Sequence, residues 1–142
     1  MAQILIIDDD DQLRRMMRQM LEGAGHTVTE AEDGRRGFEA FSAEPSDLVV
    51  TNLFMPERDG LEVIKAVRDA GAAVPIVLVS GAGAAGAPST SYASNMFRIA
   101  EKFGASRVLQ KPFDRDALVG TISDLLARGP GAAPGPAGQA GR

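Results

Sequence analysis

The 142-residue sequence contains no cysteine and no tryptophan, one tyrosine and one histidine. Without cysteine there is neither a disulfide framework nor a thiolate metal site, a composition that suits a reducing cytoplasm. No apolar run approaches the ~18 residues that a membrane-spanning helix needs. The opening residues, Met1-Ala2-Gln3, pass straight into an apolar stretch, without the basic segment and cleavage site of a secretory signal. Positive charge is not in excess: 15 Lys and Arg stand against 19 Asp and Glu, a net charge of −4. That balance gives no electrostatic footprint for nucleic acid. The expectation is a cytoplasmic protein with no nucleic-acid partner and no membrane, long enough for one packed core but not for two.

What is present is an alternation of two periods. Five short apolar runs, at residues 4–7, 27–31, 48–51, 76–79 and 107–109, are separated by helical patterns. Three of the runs are nearly continuous Val, Ile and Leu, as strands covered on both faces should be. The second alternates polar and apolar residues and suits an edge. Leu13, Met16, Met17, Met20 and Leu21 fall at i, i+3, i+4, i+7 and i+8, one apolar stripe of a helix. Met96, Ile99, Ala100 and Phe103 repeat the spacing, as do Leu118, Ile122, Leu125 and Leu126; Phe38 with Phe41, and Leu61 with Ile64 and Val67, mark two further helices. These Met and Phe stripes are expected in the core.

Punctuation agrees with the periods. Asp59-Gly60-Leu61-Glu62 has the form of a capping box, and Asp33 and Asp114 are expected N-caps. Gly23, Gly71 and Gly104 each follow a helical pattern, where a left-handed residue is useful. The order βαβαβαβαβα predicts an α/β fold: a doubly wound, five-stranded parallel sheet of strand order 2-1-3-4-5. Residues 1–128 make the domain. Residues 129–142, nearly all Gly, Pro and Ala, are expected to be a disordered tail. Residues 81–94, rich in Gly, Ala and Ser, predict a long loop after the fourth strand.

Sheets of this kind bind ligands beyond the carboxyl ends of their strands. Past the first strand lie Asp8, Asp9, Asp10 and Asp11; past the third, Asn52 to Pro56; past the fourth, Ser80; past the fifth, Lys111-Pro112-Phe113. The acid run by itself also suits helix capping and solvation. Together these residues put a carboxylate pair, an amide, a hydroxyl and an ammonium on one rim. Clustered carboxylates favour a divalent cation, and Mg²⁺ accepts one or two of them with water in the remaining positions. A hydroxyl and a lysine opposite supply the hydrogen bond and fixed charge that phosphoryl oxygens need. The implied chemistry is phosphoryl transfer to a carboxylate.

With these motifs the sequence resembles the receiver domain of bacterial two-component response regulators, of the chemotaxis-protein type, from Gln3 to about Arg128. The resemblance rests on Ile-Leu-Ile-Ile-Asp-Asp, Leu-Val-Val-Thr-Asn-Leu-Phe-Met-Pro-Glu-Arg-Asp-Gly, Val-Leu-Val-Ser and Gln-Lys-Pro-Phe. It implies Asp8 and Asp9 as the acid pair for Mg²⁺, with Asp9 ahead of Asp8 as the direct ligand, and position 52 and the main-chain carbonyl of Phe54 completing the set. It implies that Ser80 bonds the phosphoryl group, that Lys111 neutralises it, and that the Lys111–Pro112 bond is cis. It implies a flavodoxin-like fold, and as partners a sensor histidine kinase or histidine phosphotransfer protein and a downstream protein target. No output module follows residue 128, so a single-domain regulator that acts by docking is expected; catalytic turnover is not.

The sequence departs from the family pattern at three places. The family has its phosphorylated Asp where this chain has Asn52. An amide is uncharged and weakly nucleophilic, so the acyl phosphate should not form, and Mg²⁺ should bind more weakly with one anion gone. An Asn in an otherwise intact site is what a deliberate Asp-to-Asn substitution produces; the alternative is a natural pseudo-receiver, a phosphorylation-independent interaction module. Val108 stands where many receivers have a switching aromatic. The third departure is the loop at 81–94, expected, with the helix that follows it, to form the output surface. Two rival readings are weaker. Gly81-Ala-Gly83-Ala-Ala-Gly86 matches a dinucleotide fingerprint but is followed by Pro88 and a Ser/Thr run instead of opening a helix. Asp8-Asp9-Asp10 contains the Asp-x-Asp of some phosphatases, but the chain is too short for a cap domain. The lone His26, entering an edge strand, is expected to be structural and not a phosphodonor.

Overall fold

The computed structural model describes residues 2–53, 55, 59–81 and 98–128. Five strands, β1 (Gln3–Ile7), β2 (Thr27–Ala31), β3 (Leu48–Asn52), β4 (Ile76–Gly81) and β5 (Arg107–Lys111), form one sheet in the order β2-β1-β3-β4-β5. All four pairings are parallel. The helices are α1 (Asp11–Gly23), α2 (Gly34–Ala43), α3 (Gly60–Asp69), helical residues 98–103, here α4, and α5 (Arg115–Arg128). The expected fold class and strand order are those observed. The expected tail at 129–142, Phe54, Pro56, Met96 and all but the first residue of the 81–94 loop lie outside the described residues.

The two-residue period of each strand sorts its side chains into two cores. Leu5, Ile7, Val49, Ile76, Leu78 and Val108 face a cluster completed by Phe41 of α2, Val63, Ile64 and Val67 of α3, and Ala100 of α4. Ile4, Ile6, Leu48, Val50, Val77, Val79 and Leu109 face the other, against Met17 and Leu21 of α1 and Leu118, Ile122 and Leu125 of α5. Both faces are covered, which is why the central strands are apolar at consecutive positions and not at alternate ones. Helix starts follow the expected capping. Asp59 and Glu62 form a reciprocal capping box on α3, the Asp33 side chain accepts from Arg36 N, and that of Asp114 from Ala117 N.

Three expectations need correction. Gly23 lies within α1, and the left-handed residue after that helix is Gly25, at φ 97°; Gly71 and Gly104 are left-handed as expected. Met16, Ile99 and Phe103 are not in the core: each is 38% exposed. On α1 the five-residue stripe is wider than the contact line with the sheet, so Met16 falls at its margin. On α4 the buried position is Ala100, whose small side chain sits against the sheet while Ile99 and Phe103 turn outward. Finally, β3, β4 and β5 run past their apolar segments to include Asn52, Ser80 and Lys111. Hydropathy marks only the packed part of a strand, and the hydrogen-bonded ladder continues into polar residues.

The α2 helix lies on β1 through Gly37. A Cβ there would stand 2.4 Å from Ile7 Cδ1 and 2.9 Å from Ile7 Cγ2, and Ile7 is fully buried. Overfilling such a contact costs about 1–3 kcal/mol. Gly37→Ala is therefore expected to lower Tm by several degrees in thermal unfolding, and to cost less in an Ile7→Val background, which removes Cδ1. An equal cost in both backgrounds would contradict this packing account.

Candidate functional site

The chain leaves β1 into four consecutive acids, and the structure gives each a different task. Asp10 caps α1: its carboxylate accepts from Gln12 N and Leu13 N at 3.0 and 3.1 Å. Asp11, in the first turn, pairs with Arg14 at 2.6 Å. That leaves Asp8 and Asp9 at the rim. Asp8 is fully buried. Its main chain is pinned to β2 by the Asp8 N to Ala31 O bond, and its Oδ1 accepts from Asp10 N at 2.9 Å. Among the described residues, Oδ2 has no hydrogen-bond partner. Burial raises the Asp8 carboxyl above its ordinary range, opposed by the Asp10 N–H and by the positive charge of Lys111.

Asn52 ends β3, paired in register with Val79 of β4, and is 8% exposed. Its Nδ2 donates to Asp9 Oδ1 at 3.5 Å, a long hydrogen bond across the rim. The backbone here is closely packed. The Leu53 carbonyl accepts from Gly60 N at 2.7 Å, and a Cβ on Gly60 would stand 2.4 Å from the Asn52 carbonyl oxygen and 3.0 Å from Leu53 Cα. A side chain at residue 60 would displace the end of β3, so the glycine lets α3 start against it.

Ser80 is the penultimate residue of β4 and is 1% exposed; its Oγ has no partner among the described residues. Lys111 closes β5, beside Gly81 in register, and the Lys111–Pro112 bond is cis. The expected residues Asp8, Asp9, Asn52, Ser80 and Lys111 thus lie at the carboxyl ends of β1, β3, β4 and β5, which are consecutive in the sheet. Phe54 lies outside the described residues. Among the described residues no three Asp, Glu or His side chains gather to hold a metal; Asp8 and Asp9 share the rim with the Asn52 amide. A buried carboxylate oxygen without a protein partner is a fitting donor to a cation.

Two residues escaped the sequence reading. Arg14 stands beside Arg15 and Arg18 on α1, a cluster that by its sequence alone suggests a solvated face. Instead its side chain is 11% exposed and enclosed by Asp11, Glu30 and the Asp8 carbonyl. Glu30, on the edge strand, binds both Arg14 and Arg18 at 2.7 Å. The polar residue in the alternating pattern of β2 was the only available signal. His26 is structural, its Nδ1 accepting from Ala2 N at 3.2 Å.

Comparison with known proteins places the fold in a family. Residues 4–123 match the family model of the response regulator receiver domain. The chain belongs to that family: it is a receiver domain of the two-component response regulators. It is 29% identical over 124 residues to chemotaxis protein CheY of Halobacterium salinarum, covering 87% of this chain and 96% of that protein. It is 31% identical over 126 residues to the response regulator receiver protein CpdR of Brucella abortus, covering 89% and 98%. Among solved structures, chemotaxis protein CheY4 of Vibrio cholerae superposes with a TM-score of 0.75 at 28% identity, over 88% of this chain and 98% of that one. A receiver domain from Clostridium thermocellum, at 24% identity, shares the fold with a TM-score of 0.78 over 90% and 96%.

The buried Asp8 carboxylate has a consequence for stability. Because burial raises its folded-state value, ionisation disfavours the fold. The penalty is absent below the unfolded value of about 3.9, grows as pH rises through the raised folded value, and is constant above it. Asp8→Asn keeps an acceptor for Asp10 N and removes the charge. In metal-free buffer the variant is expected to melt above the parent at neutral pH, the gap closing once the parent's Asp8 carboxyl is protonated in both the folded and the unfolded chain. A gap that does not change with pH would contradict the assignment.

Proposed function

We propose that this receiver has a phosphoryl-accepting rim whose acceptor position is filled by Asn52, so that the chain as it stands docks with its partners without being phosphorylated. The observation behind this reading is the buried Asp8, whose Oδ2 has no partner among the described residues, beside the charge of Lys111 and one strand end from Asn52. Asp8 and Asp9 would hold Mg²⁺, which supplies charge neutralisation for the incoming phosphoryl group. Ser80 Oγ, buried and without a partner among the described residues, is suited to donate to a phosphoryl oxygen. Lys111 adds a fixed positive charge.

With Asp at position 52, a carboxylate oxygen would attack the phosphorus of a phosphohistidine. The P–N bond breaks and the imidazole nitrogen recovers a proton. Asn52 lacks that nucleophile. It also alters the electrostatics, since its Nδ2 donates to Asp9 where a third carboxylate would repel it. Partners of the expected kinds, a sensor histidine kinase or phosphotransfer protein on one side and a protein target on the other, would then meet a surface whose state is not set by phosphorylation. This holds whether Asn52 replaces a working Asp or is the natural residue of an interaction module.

Asn52→Asp, incubated with acetyl phosphate and Mg²⁺, is expected to gain the mass of one phosphoryl group in intact-protein mass spectrometry, and the parent none. Failure of the variant to gain it, or equal gain by the parent, would overturn the reading.

A further inference from the structure

Nothing in the phosphoryl chemistry calls for an arginine on α1, yet the Arg14 side chain is only 11% exposed beside the acid loop. Its three nitrogens reach three segments. Nη1 donates to the Asp8 carbonyl at 2.7 Å, Nε to Glu30 on β2 at 2.7 Å, and Nη2 to Asp11 on α1 at 2.6 Å. The Asp8 carbonyl belongs to the peptide that joins Asp8 to Asp9. Fixing it sets the plane of that peptide, and so the direction in which the Asp9 side chain leaves the backbone toward Asn52.

We infer that Arg14 is a positioning residue: it holds the Asp8–Asp9 peptide against β2 and α1 so that both carboxylates face one cation site. The inference rests on the proposed reading of the rim. Two further observations support it. The four acids Asp8 to Asp11 repel one another, and Arg14 is the cation within hydrogen-bond reach of that loop among the contacts above. In addition, Glu30 is held in place by a second guanidinium. Arg18 binds it at 2.7 Å and is itself anchored to Glu22 at 2.9 Å. Arg18, joined by Arg14, keeps the Glu30 carboxyl below its ordinary range, so it stays an anion across neutral pH. The clamp therefore runs from the outer face of α1 through β2 to the acid pair. A lysine cannot reproduce it, because an ammonium lacks the planar fork that serves three acceptors in fixed directions.

The test uses the full chain with Asn52→Asp and measures Mg²⁺ affinity by calorimetry, alongside Tm without metal. Adding Arg14→Lys keeps the charge and is expected to weaken Mg²⁺ about tenfold, the size of effect typical of groups that orient metal ligands. In the parent, without metal, Arg14→Lys is expected to speed hydrogen exchange of the Asp10 amide, which bonds Asp8 Oδ1. Glu30→Gln removes the anchor's charge but leaves Arg14 in place, so a smaller loss of affinity is expected; it also serves as the test if Arg14→Lys fails to fold. Unchanged Mg²⁺ affinity in both variants would overturn the inference while leaving the phosphoryl-site reading intact. Failure of the Asn52→Asp chain itself to bind Mg²⁺ would overturn both.

Discussion

A buried carboxyl group governs this end of the molecule. Asp8 is fully buried, and burial makes its charge unfavourable. The fold answers with one backbone N–H from Asp10 and with the charge of Lys111 at the end of β5. Neither occupies Oδ2. The folded chain thus buries a carboxyl whose charge the described residues only partly compensate, an arrangement that a core optimised for stability alone would not retain. The capping by Asp10, the clamp from Arg14 and the tight start of α3 at Gly60 all hold the backbone around that gap.

The topology explains why the gap has the partners it has. In the order β2-β1-β3-β4-β5, four neighbouring strands bring their carboxyl ends to one edge. Asn52, Ser80 and Lys111 are inside the hydrogen-bonded ladder. Their Cα positions are fixed by the sheet, with both faces packed by helices, so the rim does not depend on loops for its geometry. Asp8 and Asp9 lie past the end of β1: Asp8 is tied to β2 by its N–H to the Ala31 carbonyl, whereas Asp9 is exposed. It is the residue for which a separate clamp matters most.

Much of this was legible in the sequence, and for identifiable reasons. Continuous apolar runs announced strands buried on both faces, and the 3.6 period announced helices. Both signals arise from burial, so both become silent where strands turn polar. That is why β3, β4 and β5 seemed to stop short of their site residues. Side-chain caps were legible at Asp33, Asp59 and Asp114 because they rest on contacts within four residues. The division of labour among Asp8 to Asp11 was not, since it depends on which backbone N–H each carboxylate meets. The enclosure of Arg14 was not legible because its partner Glu30 is sixteen residues away on another element. Met16, Ile99 and Phe103 were misplaced because a period gives the width of an apolar face but not the line along which it touches the sheet.

The central claim is that Asn52 fills the place of a third anion in a site built to hold a cation. The most direct measurement is the Mg²⁺-induced change in Tm of the parent and of the Asn52→Asp variant. Without metal the parent should melt higher, because it has less carboxylate repulsion. With Mg²⁺ the Asn52→Asp variant should gain more, because a third anion binds the ion more tightly and binding stabilises the fold. Equal Mg²⁺ shifts in the two proteins would contradict the account.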